Sequence, residues 1–236
     1  MNITKNGFYK LSELNSEKIT IGDNLIVVIF DDFFLTNSLF ENVLSHRIQM
    51  DIGENSRVEY YGVLENRGDF DINFMQNKAF STLSVRCLLL SKNGENIKSK
   101  IHSILQASNT KSDIHIISIV GKDGFIDLDG IIQIEKDIEK VDANLIEENI
   151  FLGNTGKVKG IPTLLVRSND VKASHACKIE RISDEKLFYL RSRGIGKENA
   201  LSMMIESYIS NMFKCISMID EAFYKELFEN IIKKIK

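Results

Sequence analysis

The sequence predicts a mainly β protein that ends in a helical segment, and three observations support this. From about Ile19 to Ile182, apolar and polar residues alternate with a period of two, as strands with one buried face require. Clusters of Asn, Gly, Asp and Ser interrupt the alternation, as connections between strands do. After Ile182 the apolar residues recur every three or four positions, which is the period of an amphipathic helix.

Strand-like segments follow one another through the whole β region. The stretch 69–74 alternates strictly, and other faces are formed by Leu83, Val85, Cys87 and Leu89, by Ile114 and Ile116, and by Leu164 and Val166. The strands are too many for a small barrel and lack the intervening helices of a doubly wound sheet. Asn93-Gly94 is a strong two-residue hairpin signal, whereas most gaps are longer, as between stacked coils. The residue pattern therefore leaves a sandwich and a solenoid equally favoured.

Three helices are predicted beyond the strands. Ser183 is a candidate cap for a short helix from Lys186 to Ile195, which glycines end. A longer helix is predicted from about Lys197 to Ile219, and Phe223, Leu227 and Ile231 form the apolar stripe of the last one. We therefore expect a β region over residues 1–182 and a helical segment over residues 183–236, which covers the C-terminal end of the β region.

Composition argues against several classes of function. The formal charge is 30 − 33 = −3 and no basic block occurs, which disfavours nucleic acid and anionic membranes as partners. The longest apolar run, Leu25 to Phe30, is far shorter than the roughly 20 residues of a membrane helix, and the N-terminus has no apolar signal core. The three widely spaced cysteines indicate neither a disulfide framework nor a zinc site. We expect a cytoplasmic protein.

Two blocks of the sequence carry a recognisable order of motifs. The first is Pro162-Thr163-Leu164-Leu165-Val166-Arg167-Ser168-Asn169-Asp170-Val171-Lys172-Ala173-Ser174-His175, and the second is Phe188-Tyr189-Leu190-Arg191-Ser192-Arg193-Gly194-Ile195. Together they resemble the SufB/SufD family of the SUF iron–sulfur cluster assembly machinery. The resemblance implies a right-handed parallel β-helix (β-solenoid) with a C-terminal α-helical segment. It also implies a non-catalytic scaffold or accessory subunit that binds a SufC-type ABC ATPase, in which the ATPase activity resides.

The sequence departs from the family pattern in two respects. Family members usually begin with a sizeable helical region, whereas strand-like sequence starts here near Ile19, so the resemblance indicates a short form. The SufB branch carries a cysteine about one strand upstream of its E-H-E motif, but residues 142–153 contain none and Ala176 replaces the second glutamate. The chain is therefore more similar to SufD, although neither branch leads us to expect Cys177. Whether it pairs with a SufB-like subunit or with itself stays open.

His175 and Cys177 are the candidate site residues, since strand alternation places them on one face. An imidazole and a thiol two residues apart can both contact a soft metal or an iron–sulfur species. The competing interpretation is a hydrogen-bonded core histidine beside a small buried cysteine. The resemblance favours a functional His175, because the matching histidine lies at the SufB–SufD interface. We expect no tightly bound cofactor, only a transient iron–sulfur cluster that His175 could ligate.

The last helices contain more apolar surface than one contact with the β region needs. We therefore predict an ATPase docking surface whose members are Phe213, Phe223, Tyr224, Phe228, Ile231 and Ile232. The alternatives are self-association and a thicker cap on the core.

The remaining thiols and imidazoles receive structural roles. Cys87 and Cys215 lie in apolar stripes and are predicted core residues, and His46, His102 and His115 lack acidic or thiol partners at ligand spacing. Two other functions compete with the scaffold hypothesis. One is a β-helix enzyme acting on a carbohydrate, and the other is a purely structural solenoid.

Overall fold

Parallel strands stacked in two sheets form the body of the protein, a β-helix. The computed structural model describes residues 1–32, 44–65, 67–182 and 184–235. One sheet, sheet A, contains β1 (Asn2–Ile3), β3 (Lys18–Ile21), β5 (Leu44–Ile52), β7 (Gly68–Gln76), β9 (Asn96–Leu105), β11 (Phe125–Ile134), β13 (Lys157–Lys159) and β14 (Thr163–Val166). The other, sheet B, contains β2 (Gly7–Lys10), β4 (Ile26–Asp31), β6 (Arg57–Glu65), β8 (Thr82–Ser91), β10 (Lys111–Val120), β12 (Val141–Phe151) and β15 (Val171–Arg181).

Up to β13, successive strands alternate between the two sheets, so each coil contributes one strand to each. β13 and β14 both pair with β11 of sheet A, and β15 returns to sheet B. Every pairing between neighbouring coils is parallel and in register; one column of sheet B runs Val85, Ile114, Leu145, His175. Of the two folds that the residue pattern left equally favoured, the protein therefore adopts the solenoid and not the sandwich. Stacking buries the inward side chains of both sheets in one continuous apolar interior.

The corners between the sheets use residues that tolerate a left-handed backbone. At the turns from sheet A to sheet B, Asn24, Asn55 and Asn109 have φ of 60°, 51° and 60°. Asn93 and Gly94 also form a tight turn, with φ of 54° and 76°. The hairpin signal of these two residues does not correspond to a hairpin, because this turn joins β8 to β9, which lie in different sheets.

The helices are α1 (Leu11–Leu14), α2 (Asp184–Ser192), α3 (Lys197–Met212), α4 (Lys214–Ile219) and α5 (Glu221–Ile235). The single helix predicted up to Ile219 is interrupted at Phe213, whose ring packs on Phe30 and Tyr61 with centroids 6.3 and 6.1 Å away. Ser183, the predicted cap, lies outside the described residues.

The C-terminal helices cover the outer face of sheet B, not the end of the β-helix as predicted. The outward side chains toward the strand ends of sheet B are apolar, and they form a second core with the helices. These sheet residues are Phe30, Tyr61, Val63, Leu88, Leu90, Ile117, Ile119 and Ile150. An ion pair between the partly exposed Lys234 and the buried Glu65 also ties α5 to β6. The helices lie here because an apolar stripe needs an apolar partner.

Sheet A carries charges on its outer face instead. Asp71, Lys100 and Asp129 occupy one in-register column of alternating sign. Opposite charges on neighbouring strands attract each other and stay hydrated, so this face needs no helical cover.

We predict that replacing the core residue Phe223 destabilises the protein, whereas replacing an exposed phenylalanine does not. Phe223 is 9% exposed and packs edge-on against Phe30 at 4.9 Å. Phe223→Ala should lower the free energy of unfolding by about 3–5 kcal/mol, the usual cost of a large core truncation. Phe188→Ala, at a position 70% exposed, serves as the control and should change it by less than about 0.5 kcal/mol in a denaturant titration. Equal losses in both variants would contradict this packing.

Candidate functional site

The last strand of sheet B, β15, carries both predicted site residues at the end of the β-helix. β15 pairs with β12 and forms the edge of sheet B. His175 is in register with Leu145, and Cys177 with Glu147. The two residues therefore share one face, as predicted, and this face lines the interior. No further coil lies above them among the described residues.

Both side chains are exposed for this reason. The interpretation of His175 and Cys177 as buried core residues is therefore wrong. Sequence alternation correctly identified the face, but it could not show that this face belongs to the terminal coil.

The Cys177 thiol contacts a polar side chain of the coil beneath it. Asn149 Nδ2 donates a hydrogen bond to Cys177 Sγ at 3.6 Å. Partial burial, followed by the negative charge of Glu147, raises the pKa of the Cys177 thiol, while the Asn149 bond opposes this effect. The free thiol is consequently protonated at neutral pH in the absence of a ligand.

Glu147 is a buried carboxyl group directly beneath Cys177, and sequence reasoning missed it. Only 1% of the residue is exposed, and its Oε1 atom has no hydrogen-bond partner among the described residues. Burial raises the pKa of Glu147 to about 7 and the nearby Asp129 charge adds to this effect, whereas the Gly130 backbone N–H lowers the pKa. The sequence did contain a signal for it, because Glu147 is an acidic residue at an inward position of the alternating segment 141–151.

Gly130 on sheet A makes room for this carboxyl group. A Cβ atom at position 130 would lie 2.3 Å from Glu147 Oε1, so any other residue would displace the carboxylate. The side chain of Asn149, 4% exposed, adds a second buried oxygen without a described partner, Oδ1. Two polar groups with unused bonding capacity therefore lie just below the exposed thiol.

The other histidines have partners that the sequence did not show. His46 Nε2 lies 2.7 Å from Asp31 Oδ2 in the interior, and His115 Nε2 lies 2.8 Å from Glu148 Oε1 on the outer face of sheet B. These acids come from other strands, which is why sequence spacing missed them. Burial, followed by the Lys100 charge, lowers the pKa of His102.

The remaining cysteines differ in their burial. Cys87 is fully buried, as predicted. Cys215 is partly buried against the core between the helices and sheet B.

The predicted docking residues are mostly part of that core. Phe213, Phe223, Ile231 and Ile232 are buried, and only Tyr224 and Phe228 retain partial exposure. The premise of a surplus apolar surface is therefore wrong for the four buried residues, because the outer face of sheet B already occupies them. Other apolar side chains of the helices are exposed instead, namely Phe188, Tyr189, Met203, Met218 and Ile219.

Neither a preformed metal site nor a membrane-spanning helix occurs in the described ranges. No group of three or more His, Cys, Asp and Glu side chains there is gathered closely enough to hold a metal ion. Within the same ranges, no helix is both long and apolar enough to cross a membrane.

Comparisons with known proteins agree on one family. Residues 41–208 match the family described as "SUF system FeS cluster assembly, SufBD core domain". The chain is 30% identical over 118 residues to the iron–sulfur cluster assembly protein SufD of Escherichia coli, which is 50% of this chain and 27% of the relative. It is 28% identical over 137 residues to SufB of Bacillus subtilis, which is 58% of this chain and 29% of the relative. A SufBD family protein of Staphylococcus aureus is 30% identical over 115 residues, 49% of this chain and 25% of the relative. The matched stretches thus span less than a third of these curated relatives.

Proposed function

The chain belongs to the SufBD family of the SUF system for iron–sulfur cluster assembly, and from this premise we propose that it is a non-catalytic scaffold subunit of a SUF complex. The observation that carries the proposal is the exposed pair His175 and Cys177 on a free sheet edge. Imidazole and thiolate are ligands of iron–sulfur species, and an edge strand is a surface that a second subunit can extend. The scaffold holds a cluster transiently between subunits.

The role of His175 follows from its exposure. An exposed imidazole contributes little to packing, so its role in cluster assembly and its contribution to folding stability can be measured separately. In this proposal His175 contacts the transient metal species through its neutral nitrogen.

We predict that His175→Ala leaves folding intact and impairs cluster assembly. The melting temperature of the full chain should change by less than about 2 °C, because no core contact is lost. Cluster formation in a complex reconstituted with the partner subunits, followed by visible absorption, should fall several-fold. A matched exposed position on the same strand, Ser174→Ala, should retain wild-type formation. Wild-type cluster formation by His175→Ala would refute the role given to this residue.

The free edge of β15 is the proposed pairing surface. Backbone groups of a strand point alternately to its two sides. Ile182 N–H donates to Phe151 of β12 and the Asp170 carbonyl accepts from Val141, so even-numbered residues face β12. The N–H and C=O groups of odd-numbered residues, including Cys177 and Ile179, therefore point to the open edge. The partner is a SufB-like subunit or a second copy of this chain, joined by strand addition.

We predict that Ile179→Pro abolishes this pairing and that Ile179→Ala does not. Proline removes an N–H from the open edge without breaking a bond to β12, and position 179 is 74% exposed. Alanine removes the same side chain but keeps the N–H. Co-purification with the SufB-like subunit and sedimentation of the isolated chain distinguish the two partners. If both variants pair as well as the wild type, the β15 edge is not the interface.

The C-terminal helices are the proposed docking site for a SufC-type ATPase. Helix α2 exposes two adjacent aromatic residues, Phe188 at 70% and Tyr189 at 61%. Met203 of α3 is also exposed. Exposed aromatic side chains are efficient anchors because each buries a large area with little loss of conformational freedom.

We predict that the double variant Phe188→Ala/Tyr189→Ala weakens ATPase binding at least about tenfold, as expected when anchor residues are removed. Ile161→Ala, at an exposed apolar position of the β region, is the control and should bind with wild-type affinity. Isothermal titration with the purified ATPase measures both. Unchanged affinity in the double variant would place the docking site elsewhere.

A further inference from the structure

We propose that Cys177 and Glu147, completed by the imidazole of His175, bind a single divalent first-row transition-metal ion such as Fe²⁺ at the open end of the β-helix. The inference deepens the proposed function and rests on it for the identity of the cargo ion. Glu147 is the new element, because neither the sequence pattern nor the family resemblance assigns it a role.

The strand register places a buried carboxyl group and an exposed thiol on neighbouring strands. Glu147 and Cys177 are in-register neighbours on β12 and β15, and both point inward. Neighbouring strands lie about 4.8 Å apart, a separation that one metal ion can bridge through a carboxylate and a thiolate. The Glu147 Oε1 atom has no partner among the described residues, so binding an ion breaks no existing bond at that atom.

A buried carboxylate oxygen without a hydrogen-bond partner, such as Glu147 Oε1, is costly, and a cation would remove that cost. Natural interiors keep few such groups, and those that persist call for an explanation. Gly130 of sheet A leaves the space that the Glu147 carboxylate of sheet B occupies, so residues of both sheets shape this position. A ligand for the carboxylate explains why the interior holds an acid at this level.

The donor set fits a borderline metal ion. Thiolate, imidazole and carboxylate together are suited to Fe²⁺ and Zn²⁺ and ill suited to Ca²⁺ or Mg²⁺, which prefer oxygen alone. Binding releases the Cys177 proton to solvent and forms the sulfur–metal bond. Asn149 Nδ2 continues to donate to the sulfur and so supports its negative charge.

The site is open in the free protein. His175 is exposed and has no hydrogen bond within the described parts of the chain, so its ring can rotate toward the ion once Cys177 and Glu147 hold it. This agrees with the finding that three donors are not already gathered in the described residues. Open coordination positions suit an ion that is passed on rather than retained.

Co²⁺ is the probe, since a thiolate–cobalt bond gives a near-ultraviolet charge-transfer band. The full chain is titrated without oxygen in a phosphine reductant. We expect one Co²⁺ per chain, a band that Cys177→Ser abolishes, and a wild-type band in Cys215→Ser. Glu147→Gln should weaken binding at least about tenfold. Glu148→Gln is the matched control, because Glu148 is the next residue but bonds His115 and Lys178 on the outer face. This variant should bind Co²⁺ with wild-type affinity.

Several results would overturn the inference: no band in the wild type, a band that survives Cys177→Ser, or equal affinities for Glu147→Gln and Glu148→Gln. Glu147→Asp, which withdraws the carboxylate by one methylene, gives the same comparison if the glutamine variant folds poorly. The isolated chain provides all these readouts. If the wild-type chain binds no cobalt but the reconstituted complex still forms clusters in a His175-dependent way, only this inference is overturned. If the wild-type chain binds cobalt but the reconstituted complex forms no cluster, the proposed function is overturned instead.

Discussion

In-register parallel stacking is the constraint on which the rest of this structure depends. Each coil is stable only because its backbone groups bond to the coil below and the coil above. Within the described ranges, the last strand of sheet B has a coil on one side only. The same regularity that builds the interior therefore ends in an edge strand. His175 and Cys177 lie on this strand, so their exposure is a consequence of their position in the stack.

The two outer faces of the β-helix differ in a way that decides where the helices pack. Sheet B has apolar outward residues near its strand ends, and the amphipathic helices cover them. Sheet A has alternating charges that remain hydrated. The apolar stripe of α5, formed by Phe223, Leu227 and Ile231, is therefore buried and stabilises the fold. The most exposed aromatic residues of the C-terminal helices are consequently Phe188 and Tyr189 of α2.

The interior is largely apolar, but it holds the Asp31–His46 pair and, beneath the open end, the carboxyl group of Glu147. Glu147 and Asn149 occupy inward positions of β12, where the preceding coil has Ile116 and Ser118. Burial of Glu147 is unfavourable for folding, as its raised pKa indicates. A polar group that opposes stability and lies next to an exposed thiol is typical of a functional position. At this end of the β-helix, an exposed thiol that is not needed for packing thus lies on the strand next to a buried carboxyl group.

The sequence by itself determined the strands, the apolar stripe of α5 and the shared face of His175 and Cys177, because these follow from periods of two and 3.6 residues along the chain. The stripe of α3 was only partly determined, since Met203 is exposed and Ile205 is buried. The parallel β-helix required the resemblance in residues 162–195, since alternation is the same in a sandwich and in a solenoid. Only the tertiary structure decided that the helices cover sheet B, that Phe213 and Phe223 are core, and that His175 and Cys177 are exposed. It also brought Glu147 beneath Cys177 and Asp31 to His46. The physical reason is that these contacts join residues about 15 to 200 positions apart in the chain, and local periodicity contains no information on which distant surfaces meet.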